Sequence, residues 1–261
     1  MNNVDAVREQ YKTPANLAAR FALHERFSTN AYPWMRWVFD QLALPAESAV
    51  LEVGCGTGAL WHENAEHIPP GWRVMLSDQS AGMLAQAQQT LAGDPHTFSF
   101  EQCNAQALPF ADGAFDAVVA NHMLYHLPDL PAGLREIRRV LKPGGQLFAA
   151  TNGEAHMSEL YQLLVSFDPS QQHQGPRLPF MLENGTPLLV PYFAHVERRD
   201  FPGSLAVTEA QPIIDYVYSM FPIAVERRAA FVRHVEDTLQ AHDGVFKIQK
   251  VTGLFVATKE E

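Results

Sequence analysis

The chain has 261 residues, with 19 Lys and Arg against 29 Asp and Glu, for a formal charge of −10. At 47% hydrophobic and 18% charged residues it can bury a substantial core, which excludes a disordered chain. The acidic surplus disfavours a phosphate-tracking surface, because nonspecific nucleic-acid affinity needs clustered Lys and Arg.

The opening MNNVDAVREQ carries Asp5, Arg8 and Glu9 where a secretory signal needs an apolar stretch. No apolar run reaches the roughly 18 residues of a membrane span. The expectation is a soluble, cytoplasmic protein, monomer or homodimer, with neither membrane nor nucleic acid as partner. Cys55 and Cys103 are far apart with no CxxC spacing, so both are read as reduced thiols.

Residues 1–45 are expected to form a helical N-terminal cap, rich in aromatics (Phe21, Phe27, Tyr32, Trp34, Trp37, Phe39), with Pro33 in the first turn of the segment leading to Leu44. Residues 46–151 alternate short strands and helices, the pattern of a parallel sheet covered on both faces. Strands are expected at Val50–Val53, Arg73–Ser77, Thr97–Gln102, Phe115–Ala120 and Gln146–Ala150. The first helix should carry Trp61, Ala65 and Ile68 on one face and stop at Pro69-Pro70-Gly71. Ser80 can cap the second, whose Leu84, Ala87 and Leu91 share a face; the third carries Leu134, Ile137 and Leu141 up to Lys142-Pro143-Gly144-Gly145.

Beyond strand five the alternation lapses. Residues 152–205, with one helical piece at Glu154–Phe167, are expected to be an inserted cap, since long irregular stretches in compact domains are usually functional. Residues 206–261 should return to the core of a domain single overall. There Val245–Gln249 and Leu254–Thr258, joined by a short link, are expected to pair with each other antiparallel.

The turn Gly54-Cys55-Gly56-Thr57-Gly58 stands between a strand and a helix. Absent side chains let a ligand approach the backbone, and a helix start offers unpaired N–H groups. Asp78 follows Gly54 by 24 residues, at the end of the neighbouring strand, where a carboxylate can accept from both hydroxyls of a ribose. Turn and carboxylate together indicate a nucleoside cofactor. They do not identify it, because Gly54, Gly56 and Ala59 also fit the dinucleotide form G-x-G-x-x-A.

Four segments in order narrow the choice: VLEVGCGTG at 50–58, LSDQSAGML at 76–84, NAQALPFADGAFDAVVANHMLYHLPD at 104–129 and LREIRRVLKPGG at 134–145. Together they resemble the class I S-adenosylmethionine-dependent methyltransferases that act on small molecules. The resemblance implies an α/β Rossmann-like doubly wound sheet of seven strands, mostly parallel with an antiparallel C-terminal strand. It implies S-adenosyl-L-methionine as cofactor and methyl transfer to a small-molecule acceptor. Glu52, Gly54, Cys55, Gly56 and Thr57 would line the methionine half, and Asp78, with Gln79 beside it, would hold the ribose. Met83, Asn104 and Ala105 would surround the adenine, Asn104 standing where the family usually has Asp; Asn121 would sit by the sulfonium.

A general base is optional in such a reaction, because the cofactor is already activated. His122 and His126 are the catalytic candidates, His122 favoured because a histidine at the place of His126 is often structural in the family. Tyr11, His24, Phe27, Tyr125 and Tyr161 are candidate substrate contacts, within a wider aromatic set that adds Phe21, Phe167, Phe180, Tyr192 and Phe193 and reads equally as core. The segment Asn121-His122-Met123-Leu124 departs from the Asn/Asp-Pro-Pro-Tyr signature of methyltransferases acting on exocyclic base amines or protein glutamine. The acceptor atom stays open among O, N, C and S. His62 and His67 lie on different helix faces with no third ligand in sight, so no metal site is expected. Two competing readings remain: a non-catalytic S-adenosylmethionine-binding sensor or partner subunit, and an NAD(P)-dependent oxidoreductase, which residues 104–145 do not support.

Overall fold

Apolar runs buried on both faces build the centre of the main sheet, as a parallel sheet sandwiched between helices requires. The computed structural model describes residues 22–170, 178–221 and 223–260. In chain order its elements are α1 (Trp34–Asp40), β1 (Ala49–Val53), α2 (Ala59–His62), β2 (Arg73–Asp78), α3 (Ala81–Thr90), β3 (Phe98–Gln102) and β4 (Phe115–Asn121). Then follow α4 (Leu130–Val140), β5 (Leu141–Asn152), α5 (Ser158–Phe167), α6 (Gly185–Leu189), β6 (His195–Phe201), β7 (Ser204–Val207), α7 (Ala210–Met220), α8 (Val225–Ala241), β8 (Phe246–Gln249) and β9 (Thr252–Thr258).

Two compact units result. The first comprises Met1–Ala31, Glu154–Arg177 and Pro202–Val251; the second comprises Tyr32–Gly153, Leu178–Phe201 and Thr252–Glu261. The second holds a seven-stranded sheet in the order β3-β2-β1-β4-β5-β9-β6. Strands β1 to β5 run parallel, while β9 pairs antiparallel with both β5 and β6. This is the expected mostly parallel sheet with its antiparallel C-terminal strand. All five residues of β1 are buried, and Trp61, Trp72, Phe39, Val119, Phe148 and Val256 pack in one cluster with it.

The C-terminal runs do not pair with each other. Strand β8 pairs with β7 in a separate two-stranded sheet of the first unit, and β9 joins the large sheet. The division of the chain at 152–205 and 206–261 is also drawn differently. β6, inside the range read as an insertion, is the seventh strand, whereas only the end of the C-terminal range lies in the sheet unit. Edge position explains why β6 escaped notice: HVERRDF is mostly exposed, and its charges pair along the strand, Arg198 with Asp200 and Arg199 with Glu197.

The first helix is also shorter than its apolar spacing suggests. It ends at His62, and a 3-10 turn at Ala65–His67 follows. Asn64, buried, uses its side-chain amide to donate to the Leu60 carbonyl at 2.7 Å, the acceptor that a continuing helix would have offered to the Asn64 backbone N–H. A side chain that competes in this way ends the i to i−4 ladder. Pro33 sits at the N-cap of α1 rather than inside its first turn.

The first unit packs α5, α7, α8 and the β7–β8 pair around Leu23, Phe27, Leu160, Val217, Phe231 and Ile248. Among the described residues, no helix is long and apolar enough to cross a membrane.

Candidate active site

The carboxyl group of Glu52 is the anomaly within β1, an ionisable group in an otherwise apolar run. It is 2% exposed and accepts from the Trp61 indole N–H at 2.7 Å. Removal from water pushes its pKa up to about 8, against the lowering effect of the indole bond. A strand interior that breaks its own apolar rule at the foot of a glycine-rich turn is a mark of function rather than packing.

At the end of β1 the chain turns through Gly54 and Gly56, with φ of +67° and +55°. A Cβ on Gly54 would stand 2.8 Å from the Met123 Cβ, so the turn needs glycine both for its backbone and for the close pass of the chain after β4. Beside Gly56 nothing stands within 4 Å of the Cβ position, leaving the backbone open on that side. Asp78, at the end of β2, accepts from the Gly56 N–H at 3.0 Å and from the Ser80 N–H at 2.8 Å. The two strand ends are further tied by the Cys55 N–H donating to the Ser77 carbonyl and the Ser77 hydroxyl to the Glu52 carbonyl. Burial raises the Asp78 pKa, opposed by its backbone N–H donors. Burial likewise pushes the Cys55 thiol up, with Glu52 and Asp78 adding to it; both cysteines are free.

The neighbouring strand ends complete this face. Ser80 caps α3 by accepting from the half-buried Met83 N–H. Exposed Gln79 gives its carbonyl to the Gln102 side chain. Asn104 closes a local turn, its side-chain oxygen accepting from the Gln106 N–H at 2.9 Å, and Ala105 beside it is buried. Thr57 is half-buried within the turn.

At the end of β4, Asn121 donates from Nδ2 to the Met35 sulfur at 3.5 Å, while its Oδ1 is buried with no partner among the described residues. His122 adopts φ +56°, uncommon for a side chain of this size, and its N–H donates to the Ala150 carbonyl. Its ring lies 5.2 Å from Trp34 and 6.3 Å from Tyr125. Tyr125, 8% exposed, packs edge-on to His126 at 4.5 Å in the 3-10 turn Leu124–His126. Trp34 also contacts Trp37 and Phe201, and its indole Nε1 is a second buried polar atom with no partner among the described residues. Sequence reading placed Trp34 only in a helical cap; its aromatic neighbours on α1 gave no sign that it would meet His122.

The remaining candidates belong to the first unit or lie outside the described residues. His24 stacks on His156 and meets the edge of Tyr216; Phe27 is core; Tyr161 packs on Phe221. Tyr11 and Phe21 are not among the described residues. Of the wider aromatic set, Phe180 and Phe193 are buried within the sheet unit, Phe180 against Phe255, and Phe167 packs on Phe231 in the first unit; all three read as core. No group of three metal-ligating side chains occurs among the described residues.

Residues 51–149 match the family model described as a methyltransferase domain. Curated relatives named ubiquinone/menaquinone biosynthesis C-methyltransferase UbiE include that of Hahella chejuensis, 37% identical over 116 residues, 44% of this chain and 47% of the relative. That of Geobacter sulfurreducens is 33% identical over 154 residues, 58% and 57% of the two chains. The chain thus spans about half the length of the curated relatives it matches. Among solved structures, the YcgJ protein of Bacillus subtilis superposes with a TM-score of 0.60 at 19% identity, over 87% of this chain and 98% of that one. Phosphoethanolamine N-methyltransferase 2 of Haemonchus contortus, solved with S-adenosyl-L-methionine, gives 0.59 at 19%, over 98% and 60%. At such identities these two establish a shared fold. Motifs, strand order and family match agree: residues 51–149 are similar to the methyltransferase domain, and the sheet in this strand order belongs to the fold shared with the solved structures above.

Proposed function

We propose that this protein transfers the methyl group of S-adenosyl-L-methionine to a small organic acceptor. The observation that carries the reading is the junction of an open Gly56 backbone with the Asp78 carboxylate at 3.0 Å, on adjoining strand ends above a buried Glu52. Each Asp78 oxygen accepts one backbone N–H and keeps a further lone pair for a ribose hydroxyl. The unpartnered Asn121 Oδ1 and Trp34 Nε1 fit the same picture, since buried polar atoms that lack a protein partner are suited to ligand polar atoms.

When bound, the cofactor supplies a methyl on a sulfonium, an activated electrophile. Gly54, Cys55, Gly56 and Thr57, with Glu52 beneath, hold its methionine half; Asp78 and Gln79 hold the ribose; Met83, Asn104 and Ala105 flank the adenine. The Asn104 side-chain oxygen, already accepting from the Gln106 N–H, has one lone pair left for that task. Asn121 and His122 stand at the reacting end, with Trp34 as an apolar wall that excludes water. His122 takes the proton that the acceptor loses, and His126 and Tyr125 hold the 3-10 turn behind it.

The relatives are named C-methyltransferases, and that name supports a carbon acceptor on an electron-rich ring for this chain as well. The protein works as a soluble cytoplasmic enzyme. Incubation of small-molecule extracts and of phenolic ring compounds with protein and cofactor tests the reading. A cofactor-dependent mass gain of one methyl on an acceptor is expected. Cofactor binding with no methylated product from any acceptor would favour a sensor or partner subunit instead.

A further inference from the structure

At the opposite strand ends of the sheet unit lies a cavity of ≈ 550 Å³, lined by Arg135, Arg138, Arg139 and Lys259, by Asp112 and Glu260, and by the segment 190–194. Its place follows from the register. Ala117, Gln146, Thr258 and His195 are level across β4, β5, β9 and β6, whereas Asn121 is level with Ala150. Four residues of strand separate the two levels, about 13 Å at roughly 3.3 Å per residue. The cavity is therefore separate from the glycine-rich turn.

Four of the 19 cationic side chains of a chain with net charge −10 face this one hollow. Arg139 is fully committed: it donates to the Leu108 and Phe110 carbonyls, to Asp112 and to both oxygens of Glu136. Asp112, which gives one oxygen to Arg139, and exposed Glu260 are the two carboxylates that line the hollow, against four cations. Arg138 is fixed by its Nε donating to the Tyr192 carbonyl at 2.8 Å, which leaves both terminal nitrogens to the cavity. Lys259 is pinned by the Leu141 carbonyl at 2.5 Å; burial and then Arg138 lower its pKa, opposed by Asp112. Arg135 stands one helical turn before Arg138 on α4 and has no hydrogen bond or ion pair among the described residues. Like charges at that spacing repel, a cost that a bound anion would reverse. Opposite them, Val190, 57% exposed, with Pro191 and Tyr192 offers an apolar wall.

We infer that this cavity binds a phosphate-bearing small molecule, its anionic group held by Arg135, Arg138 and Lys259 and its apolar part resting on Val190, Pro191 and Tyr192. The arrangement suits a nucleotide or another phosphorylated metabolite, because prefixed guanidinium groups bind phosphate oxygens in pairs. Such a ligand would act on the enzyme from a site other than the one that holds cofactor.

Calorimetric titration of the full chain with inorganic pyrophosphate and with ATP, at ionic strength held constant with NaCl, tests this. Saturable binding is expected, unaffected by saturating S-adenosylhomocysteine. Arg135→Gln, which breaks no contact of the fold, and Arg135→Gln/Arg138→Gln should weaken it progressively, the double variant by about ten-fold or more. Both variants should keep wild-type affinity for S-adenosylhomocysteine, which shows that they fold. Absence of saturable binding, full affinity in the double variant, or displacement by S-adenosylhomocysteine would each overturn the inference, the last by assigning the phosphate to the glycine-rich turn. ATP binding tighter than pyrophosphate supports the apolar wall as part of the site; equal affinity refutes that part.

Discussion

On the proposed reading, replacing Asp78 with Ala removes the carboxylate that would hold the cofactor ribose. Its two oxygens already serve the Gly56 and Ser80 N–H groups, so the substitution has a fold cost as well as a ligand cost. Exposed Ser80 can turn to water, whereas the part-buried Gly56 N–H loses its acceptor, and about 1 kcal/mol of stability goes with it. Two ribose hydroxyls on a carboxylate contribute about 1.5 to 3 kcal/mol to binding, equivalent to roughly 12-fold to 150-fold in Kd. Calorimetry with S-adenosylhomocysteine on wild type, Asp78→Ala and Asp78→Asn measures this, with thermal unfolding as the fold control. Asn keeps one acceptor and the loop bond without the charge, so it should fall between the other two. Because the carboxylate pKa lies above its ordinary value, wild-type affinity should begin to fall at a higher pH on acidification than a free Asp would give, and Asp78→Asn should not follow it. A Kd unchanged in Asp78→Ala would refute the placement of the ribose.

Glu52→Gln should change how stability depends on pH. A carboxyl with its folded pKa pushed up to about 8 is held protonated by the fold, so its contribution is complete below the unfolded value of 4.5 and is lost as pH rises through 8. The wild type should lose up to about 1.4 kcal/mol per pH unit relative to the Gln variant across that window, read from paired denaturant melts; parallel profiles would show Glu52 to be ionised. Gly54→Ala combines φ +67° with a 2.8 Å approach to Met123 and should cost about 1 to 3 kcal/mol. Adding Met123→Gly, which removes the Cβ that Gly54→Ala would strike, should restore the steric share alone, and full recovery in a melt would show the backbone to be unstrained. His122→Ala should lower kcat by about 100-fold or more while leaving the Kd for S-adenosylhomocysteine unchanged; an unchanged kcat would leave proximity as the whole mechanism.

Strands β1 to β5 and the glycine-rich turn were legible because their signals are local: short apolar runs, capping Ser80, and the break at Pro69-Pro70-Gly71. What escaped reading depends on distant partners. β6 looks like a polar loop until β9 lies beside it, and β8 looks like the mate of β9 until β7 claims it. The end of α2 turns on one side-chain bond from Asn64, which periodicity does not register. The site divides in the same way. Asp78 stood out as a carboxylate at the end of the neighbouring strand and Glu52 came only with the family resemblance, whereas Trp34 met His122 only through folding. Of the basic cavity, Arg135, Arg138 and Arg139 are near one another in sequence; Lys259 arrives through the β5–β9 pairing.

The most direct test of the central claim is a side-by-side titration of the full chain with S-adenosyl-L-methionine, S-adenosylhomocysteine and NAD. Saturable heat is expected from the first two, competitive with each other at one site per chain and reduced by Asp78→Ala, with none from NAD. Tight NAD binding with silence from both methionine-derived ligands would contradict it.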